Sequence, residues 1–380
     1  MQTTPLQFSR IASIDIVRGL VMVIMALDHV RELIHVDSLT QDPTNLGTTT
    51  PAIFFTRWIT HLCAPIFVFL AGTSAFLSAA RSGDTQASRR FLISRGVWLL
   101  ILEFTVVNFG IWFDIRFGVL LFQVIAAIGI GLVVLGLAIR VPAGVLGVAG
   151  LAIACLHNLL PPNVPLFSVN AIPLGTDTTL LIGYPPVPWL AIMLMGYGFG
   201  TLLQKTEDRA GLLLKLGAIC LLAFTALRSV NGYGDPAPWS TQQDALFSVM
   251  SFLNVSKYPP SLQFDLLMLG IMFLLLSAAE RMKGLIPRIV MVYGKVPLFY
   301  YLLHWYVIHL ALFAVLFIQG FSTADFLFGF RFGRPEAPSG LPLAGVYLVW
   351  MGVVCVMYPL CRWYSRYKEE HRQNLWLRYI

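Results

Sequence analysis

Arg18 is followed ten and eleven residues later by Asp28 and His29, inside an otherwise lipid-like run from Ile11 to Val36. On an α-helix an eleven-residue step returns a side chain to within about 20° of its starting face, about 16 Å further along the axis. Asp15, Arg18, Met22, Met25, His29 and Glu32 therefore share one stripe of one helix. An arginine at bilayer depth costs roughly 2.5–3.5 kcal/mol on insertion scales, so a stripe of cation, thioethers and imidazole marks a functional site. A histidine oriented by Asp28 or Glu32 and shielded from bulk water suits general-base work near neutral pH. The structural alternative is that Asp15 and Arg18 merely neutralise each other, with His29 an interfacial side chain.

Two further polar clusters converge on the same half of the expected bundle. Arg57 and His61 stand at the mouth of the second apolar run, and His304 lies within Pro297 to Tyr306, with His309 five residues on. His304 and His309 differ by about 140° around a helix, so at most one of them faces His29. Tyr300 and Tyr301 flank His304 and make it the candidate, as an assisting donor or second acid–base group. Lys257 and Tyr258 precede Pro259-Pro260 at the start of another apolar run, where free helix amides favour an anionic group. Simple turn geometry explains those prolines equally well. Arg57, His61, Lys257, Tyr258 and Tyr300 are thus the candidate acceptor contacts. Glu103, alone in the third run, is expected to pair with an intramembrane arginine or to act as a second base. Acyl transfer needs such an inventory: a base to deprotonate an alcohol or amine, and donors for the developing oxyanion. No metal site is expected. The histidines form no i,i+4 pair, and the five cysteines form no CxxC pair.

These side chains must be positioned by membrane helices. Hydrophobic residues make up 57% of the 380 and charged residues only 12%, against roughly 25% charged in soluble domains. The pattern predicts an all-α polytopic transmembrane bundle, residues 1–380 forming a single domain of about ten spans. The spans fall near 12–34, 62–80, 92–110, 118–138, 142–160, 186–204, 211–227, 263–279, 297–318 and 342–361. The first is a retained helix rather than a signal peptide. Placing both termini in the cytoplasm gathers most lysines and arginines there, Arg10 included, as topology requires. Residues 362–380 then read as a cytoplasmic basic amphipathic tail. The long loops 35–61, 161–185, 228–262 and 319–341 lie outside and carry the acceptor site. The net charge of +7 is spread over short loops, so no nucleic-acid partner is expected.

Ser13 to Gly19 and Met25 to Arg31 resemble the opening signature of bacterial members of the heparan-alpha-glucosaminide N-acetyltransferase family. Pro65 to Ser78, Ser256 to Leu262 and Tyr293 to His304 extend the resemblance over most of the chain. The Arg-X10-His spacing is also similar to the motif of membrane acyltransferases that O-acetylate bacterial polysaccharides, which implies a shared fold. The resemblance implies a multi-pass protein of the bacterial inner membrane. It would take acetyl-CoA from the cytoplasm and acylate a sugar or other small-molecule acceptor on the far side, with no permanently bound cofactor. A coenzyme A threaded along the stripe would meet Arg18 and Asp15, with Arg89, Arg90 and Arg95 holding its nucleotide by charge. One departure stands out: the lysosomal enzyme's catalytic histidine falls near Thr50-Pro51, where this chain has none, and asparagine occupies the position of His29. The rival reading is a transporter or flippase for an anionic or protonatable solute. The lipid bilayer is the partner in either case, and a homo-oligomer is compatible with both.

Overall fold

The computed structural model describes residues 11–161, 164 and 166–380; Arg10 lies outside them. Helix α1 (Ala12–Ile34) runs through the middle of the bundle and carries the charged stripe. Thr50 accepts a bond from the Ile53 amide, and Pro51 sets the first turn of α2 (Pro51–Thr60). After a two-residue break α3 (Cys63–Ser82) continues the run until Gly83, at φ +66°, takes the left-handed conformation that ends it. Asp84 caps α4 (Thr85–Leu102) by accepting from Gln86 and Ala87.

One π turn (Glu103–Val107) and a short α5 (Asn108–Trp112) extend α4. The remaining helices are α6 (Val124–Leu137), α7 (Ala143–Leu156), α8 (Pro186–Lys205), α9 (Arg209–Val230) and α10 (Ala245–Leu253). They are followed by α11 (Leu262–Arg281), α12 (Leu285–Lys295), α13 (Pro297–Ile318) and α14 (Leu343–Glu370). Around α1 stand α2, α3 and α11 to α14, while α8 packs on α3, α6 and α7, and α9 on α11.

Close approach between α1 and α12 depends on glycine. A Cβ on Gly19 would collide with the Val290 carbonyl, and one on Gly294 with the Asp15 carbonyl. The same logic governs α3 and α8: the small-residue face Ala71 to Ala75 lies on α8, and Thr73 donates to the Gly196 carbonyl at 2.9 Å. That segment serves packing.

Among the described residues seven helical segments are long and apolar enough to cross a membrane. The other three expected spans correspond to α1, which carries five charged residues, and to the 14-residue α6 and α7. The fourth expected span, 118–138, is not one helix. Its first residues form strand β1 (Val119–Phe122), which pairs in parallel with β3 (Thr179–Ile182), and β3 pairs antiparallel with β2 (Asn170–Pro173). A continuous apolar run does not distinguish strand from buried helix by periodicity alone. What decides here is Asn108, whose amide bonds both the Leu121 carbonyl and the Leu121 N–H, occupying the free edge of β1. The expected tail also differs: α14 continues unbroken past 362 to Glu370, and only the following residues turn back toward α4.

Candidate active site

His29, on the fifth turn of α1, meets His304 of α13: Nδ1 of the first lies 2.7 Å from Nε2 of the second. His304 Nδ1 faces two backbone carbonyls, Tyr301 at 2.6 Å and Tyr300 at 3.1 Å. Carbonyls only accept, so that nitrogen carries the proton and His304 Nε2 holds a lone pair. His29 Nδ1 must then donate to it. The remaining nitrogen, His29 Nε2, is left as the basic atom, with no hydrogen bond among the described residues. Two cationic rings at this separation would repel, so the pair carries at most one positive charge. Trp305 stacks on His29 at 3.9 Å between centroids and fixes its plane. The imidazole is thereby held in one tautomer and one orientation, as a general base requires.

Neither carboxylate expected to orient His29 does so. Asp28, one residue earlier and about 100° around the helix, accepts from Arg57 and, at 3.2 Å, from Arg31. Glu32 is exposed and makes no hydrogen bond to His29. The orienting group is His304, through the α13 backbone.

A small cavity of about 30 Å³ lies beside His29, lined also by Met25, Asp28, Thr60, Gln123, Tyr184, Lys257 and Tyr301. Gln123 and Thr60 had no distinguishing pattern in the sequence, whereas Tyr184 precedes Pro185-Pro186 at the start of a span as Tyr258 precedes Pro259-Pro260. Lys257 is buried here on the turn before α11. Tyr258, by contrast, is 41% exposed and turns its ring toward the Lys257 ammonium, 5.0 Å from the centroid. Burial in the loop before α8 raises the Tyr184 phenol well above its ordinary value and keeps it a donor. Three expected acceptor contacts stand elsewhere. Arg57 is committed to Asp28. His61 is buried edge-on to Phe264, and Tyr300 is wholly buried between Tyr293 and His304, its hydroxyl unpartnered. Helical phase explains the last: Tyr301, one residue on, is the ring that reaches the cavity, 3.4 Å from the Gln123 amide oxygen.

At the end of the bundle where α1 begins, a second cavity of about 860 Å³ opens. Arg18, Arg81, Arg95, Lys295, Lys368, Arg372 and Arg378 line it, with no aspartate or glutamate side chain among the described residues of the lining. Arg18 donates to the Leu70 carbonyl at 3.0 Å and to Ser74, and lies 3.8 Å from Asp15. Arg95 donates to the Arg378 carbonyl at 2.6 Å, and Ser94 meets the Tyr379 hydroxyl at 2.8 Å, so residues 371–380 form part of the cavity wall. Arg89 and Arg90, expected beside Arg95, do not line it; they sit on other faces of α4. Phe67, Val124 and Tyr301 line both cavities, so the two spaces adjoin across these side chains, with Met22 on one side and Met25 and His29 on the other.

Among the described residues Glu103 pairs with no arginine. Its carboxylate accepts from the Ala126 amide at 2.9 Å, at the start of α6, while its other oxygen is buried without a partner. It caps a helix. No group of histidines, cysteines and carboxylates among the described residues has the arrangement of a metal site.

The family described as heparan-alpha-glucosaminide N-acetyltransferase, catalytic, matches residues 10–231, more than half of the chain. The match takes in Arg18, Asp28, His29 and Arg57; Lys257 and His304 lie beyond it. No curated protein gives a match.

Proposed function

The chain belongs to the heparan-alpha-glucosaminide N-acetyltransferase catalytic family, and from that premise we propose that it is an acyltransferase working through the membrane. It takes an acyl group, acetyl by the family's description, from a coenzyme A thioester at the basic end. It delivers that group to a hydroxyl or amine that enters from the loop-rich end. The observation that carries this reading is that the large basic cavity and the pocket of His29 adjoin, sharing Phe67, Val124 and Tyr301 as lining.

The basic cavity suits phosphates: several cations face one space, and arginine binds phosphate through paired charge-assisted bonds. An extended pantetheine arm has about the 16 Å reach between Arg18 and His29. At the inner pocket His29 Nε2 takes the acceptor's proton as its oxygen or nitrogen attacks the thioester carbonyl. His304 steadies the imidazolium that results, accepting the Nδ1 proton's hydrogen bond. The departing thiolate then takes the proton from His29. Ten crossings, both termini on the donor side and residence in a bacterial inner membrane complete the proposal.

Purified protein given radiolabelled acetyl-CoA and an envelope glycan extract should transfer label to glycan. Uptake of solute into liposomes without acylation would instead favour the transporter reading.

A further inference from the structure

Among the charged side chains at the inner pocket, Lys257 is the one without a counter-ion. It is 7% exposed and lines the cavity with His29. Among the described residues no carboxylate lies within ion-pair distance of it. Asp28, which shares the lining, is taken by Arg31 and Arg57. The ammonium lies against the rings of Tyr258 at 5.0 Å and Tyr184 at 6.0 Å, reaches the Tyr258 hydroxyl, and feels Asp28 only beyond ion-pair distance. Ring faces contribute about 0.5–2 kcal/mol, less than an ammonium loses on leaving water.

The chain nevertheless holds this lysine at depth by a dedicated network. Asp235 accepts from the Ser256 amide at 2.8 Å and the Ser261 hydroxyl at 2.6 Å, bracketing the turn that bears Lys257. Arg228 backs Asp235 at 3.9 Å, and His157 Nε2 meets the Pro260 carbonyl at 2.9 Å. Such restraint fits a group whose position matters and whose charge awaits a partner. The pocket's roughly 30 Å³ is about twice the 10–15 Å³ that a cavity needs to hold one water molecule. That space admits a carbonyl and its methyl group, not a sugar ring.

We propose that Lys257 is the oxyanion donor of the transfer, a role that rests on the acyltransferase reading above. As the acceptor bonds to the carbonyl carbon, its proton passes to His29 Nε2 and the C=O π pair moves onto oxygen, beside the Lys257 ammonium. Collapse restores the C=O bond and breaks the C–S bond, and the thiolate receives the proton from His29. Nothing is oxidised or reduced. A fixed cation in a water-poor site stabilises such an oxyanion without reorganising.

Two coenzyme A probes test this on the purified full-length protein: the neutral thioether S-ethyl-coenzyme A, and a derivative ending in a methylphosphonate anion where the acetyl carbonyl would sit. Wild type should bind the phosphonate about 10²-fold more tightly, as enzymes do transition-state analogues. Lys257→Met should abolish that preference while leaving thioether affinity within about twofold, and should lower kcat about 10²–10³-fold. Lys257→Gln takes its place if the methionine variant does not fold. An undiminished phosphonate preference in the variant overturns the role, as does a parallel loss of both probes. If neither probe binds wild type, the acyltransferase reading fails and the role of Lys257 falls with it.

Discussion

At the basic end a cavity of about 860 Å³ is walled by seven lysines and arginines drawn from α1, α3, α4, α12, α14 and the residues after it. Past Tyr301 the space shrinks to about 30 Å³ and its chemistry is held in a fixed hydrogen-bond order. On the proposed function the first region would recognise by summed charge spread over several elements. In the second, one proton fixes a tautomer and one ammonium faces the space beside His29, so on the proposed function each member should matter singly. Substitutions should therefore act on donor affinity at one end and on turnover at the other.

The largest break is expected from His29→Ala. Loss of a positioned base should lower kcat by about 10²–10⁴-fold while coenzyme A affinity, measured by direct titration, stays near wild type. A variant with normal turnover would remove the inner pocket from the chemistry. Next comes His304→Phe, which keeps a ring in the core but deletes the acceptor for His29 Nδ1. A fall in kcat of about 10–10²-fold is expected. The double variant should be no worse than His29→Ala alone, because residues acting as one unit are not additive. Additive losses would show that His304 acts independently.

Smaller effects belong to the basic end. Arg18→Gln removes a charge-assisted contact that typically contributes about 1.5–3 kcal/mol, so the KM for the acyl donor should rise about tenfold or more while the acceptor KM is unchanged. The smallest effect sharpens the boundary: Arg95→Ala should weaken donor binding by a few-fold, whereas Arg89→Ala and Arg90→Ala should stay within about twofold of wild type. Equal effects at all three positions would mean that general surface charge, not this cavity, holds the donor.

The same contrast explains what was legible in the sequence. Helical phase and charge cost pointed to Arg18, His29 and His304, because side chains on two long helices are placed by arithmetic of 100° per residue. Phase resolved to a single residue was beyond that arithmetic across the bundle, so Tyr300 was expected where Tyr301 stands. The partners of Asp28 were hidden because α2 is short and enters through a loop; nothing local shows that Arg57 reaches it rather than the acceptor. Lys295, Lys368, Arg372 and Arg378 were visible only as topology charges, since convergence on one cavity is a tertiary property. Asp235 and Arg228, which hold the Lys257 turn, lie in or beside a loop whose fold no periodicity encodes. The strand at Val119–Phe122 escaped for a similar reason: its partner is 60 residues away and its other edge is closed by a side chain.

Sealed vesicles of known orientation offer the most direct measurement of the central claim, that donor enters at the basic end and reacts at His29. An impermeant thiol reagent would establish orientation through single cysteines introduced at Gly83 and at Asp177, both exposed and on opposite expected faces. Labelled acetyl-CoA confined to the Gly83 face should drive acylation of an acceptor supplied at the Asp177 face, and acetyl-CoA confined to the Asp177 face should drive none. Full transfer with donor only at the Asp177 face would contradict the account.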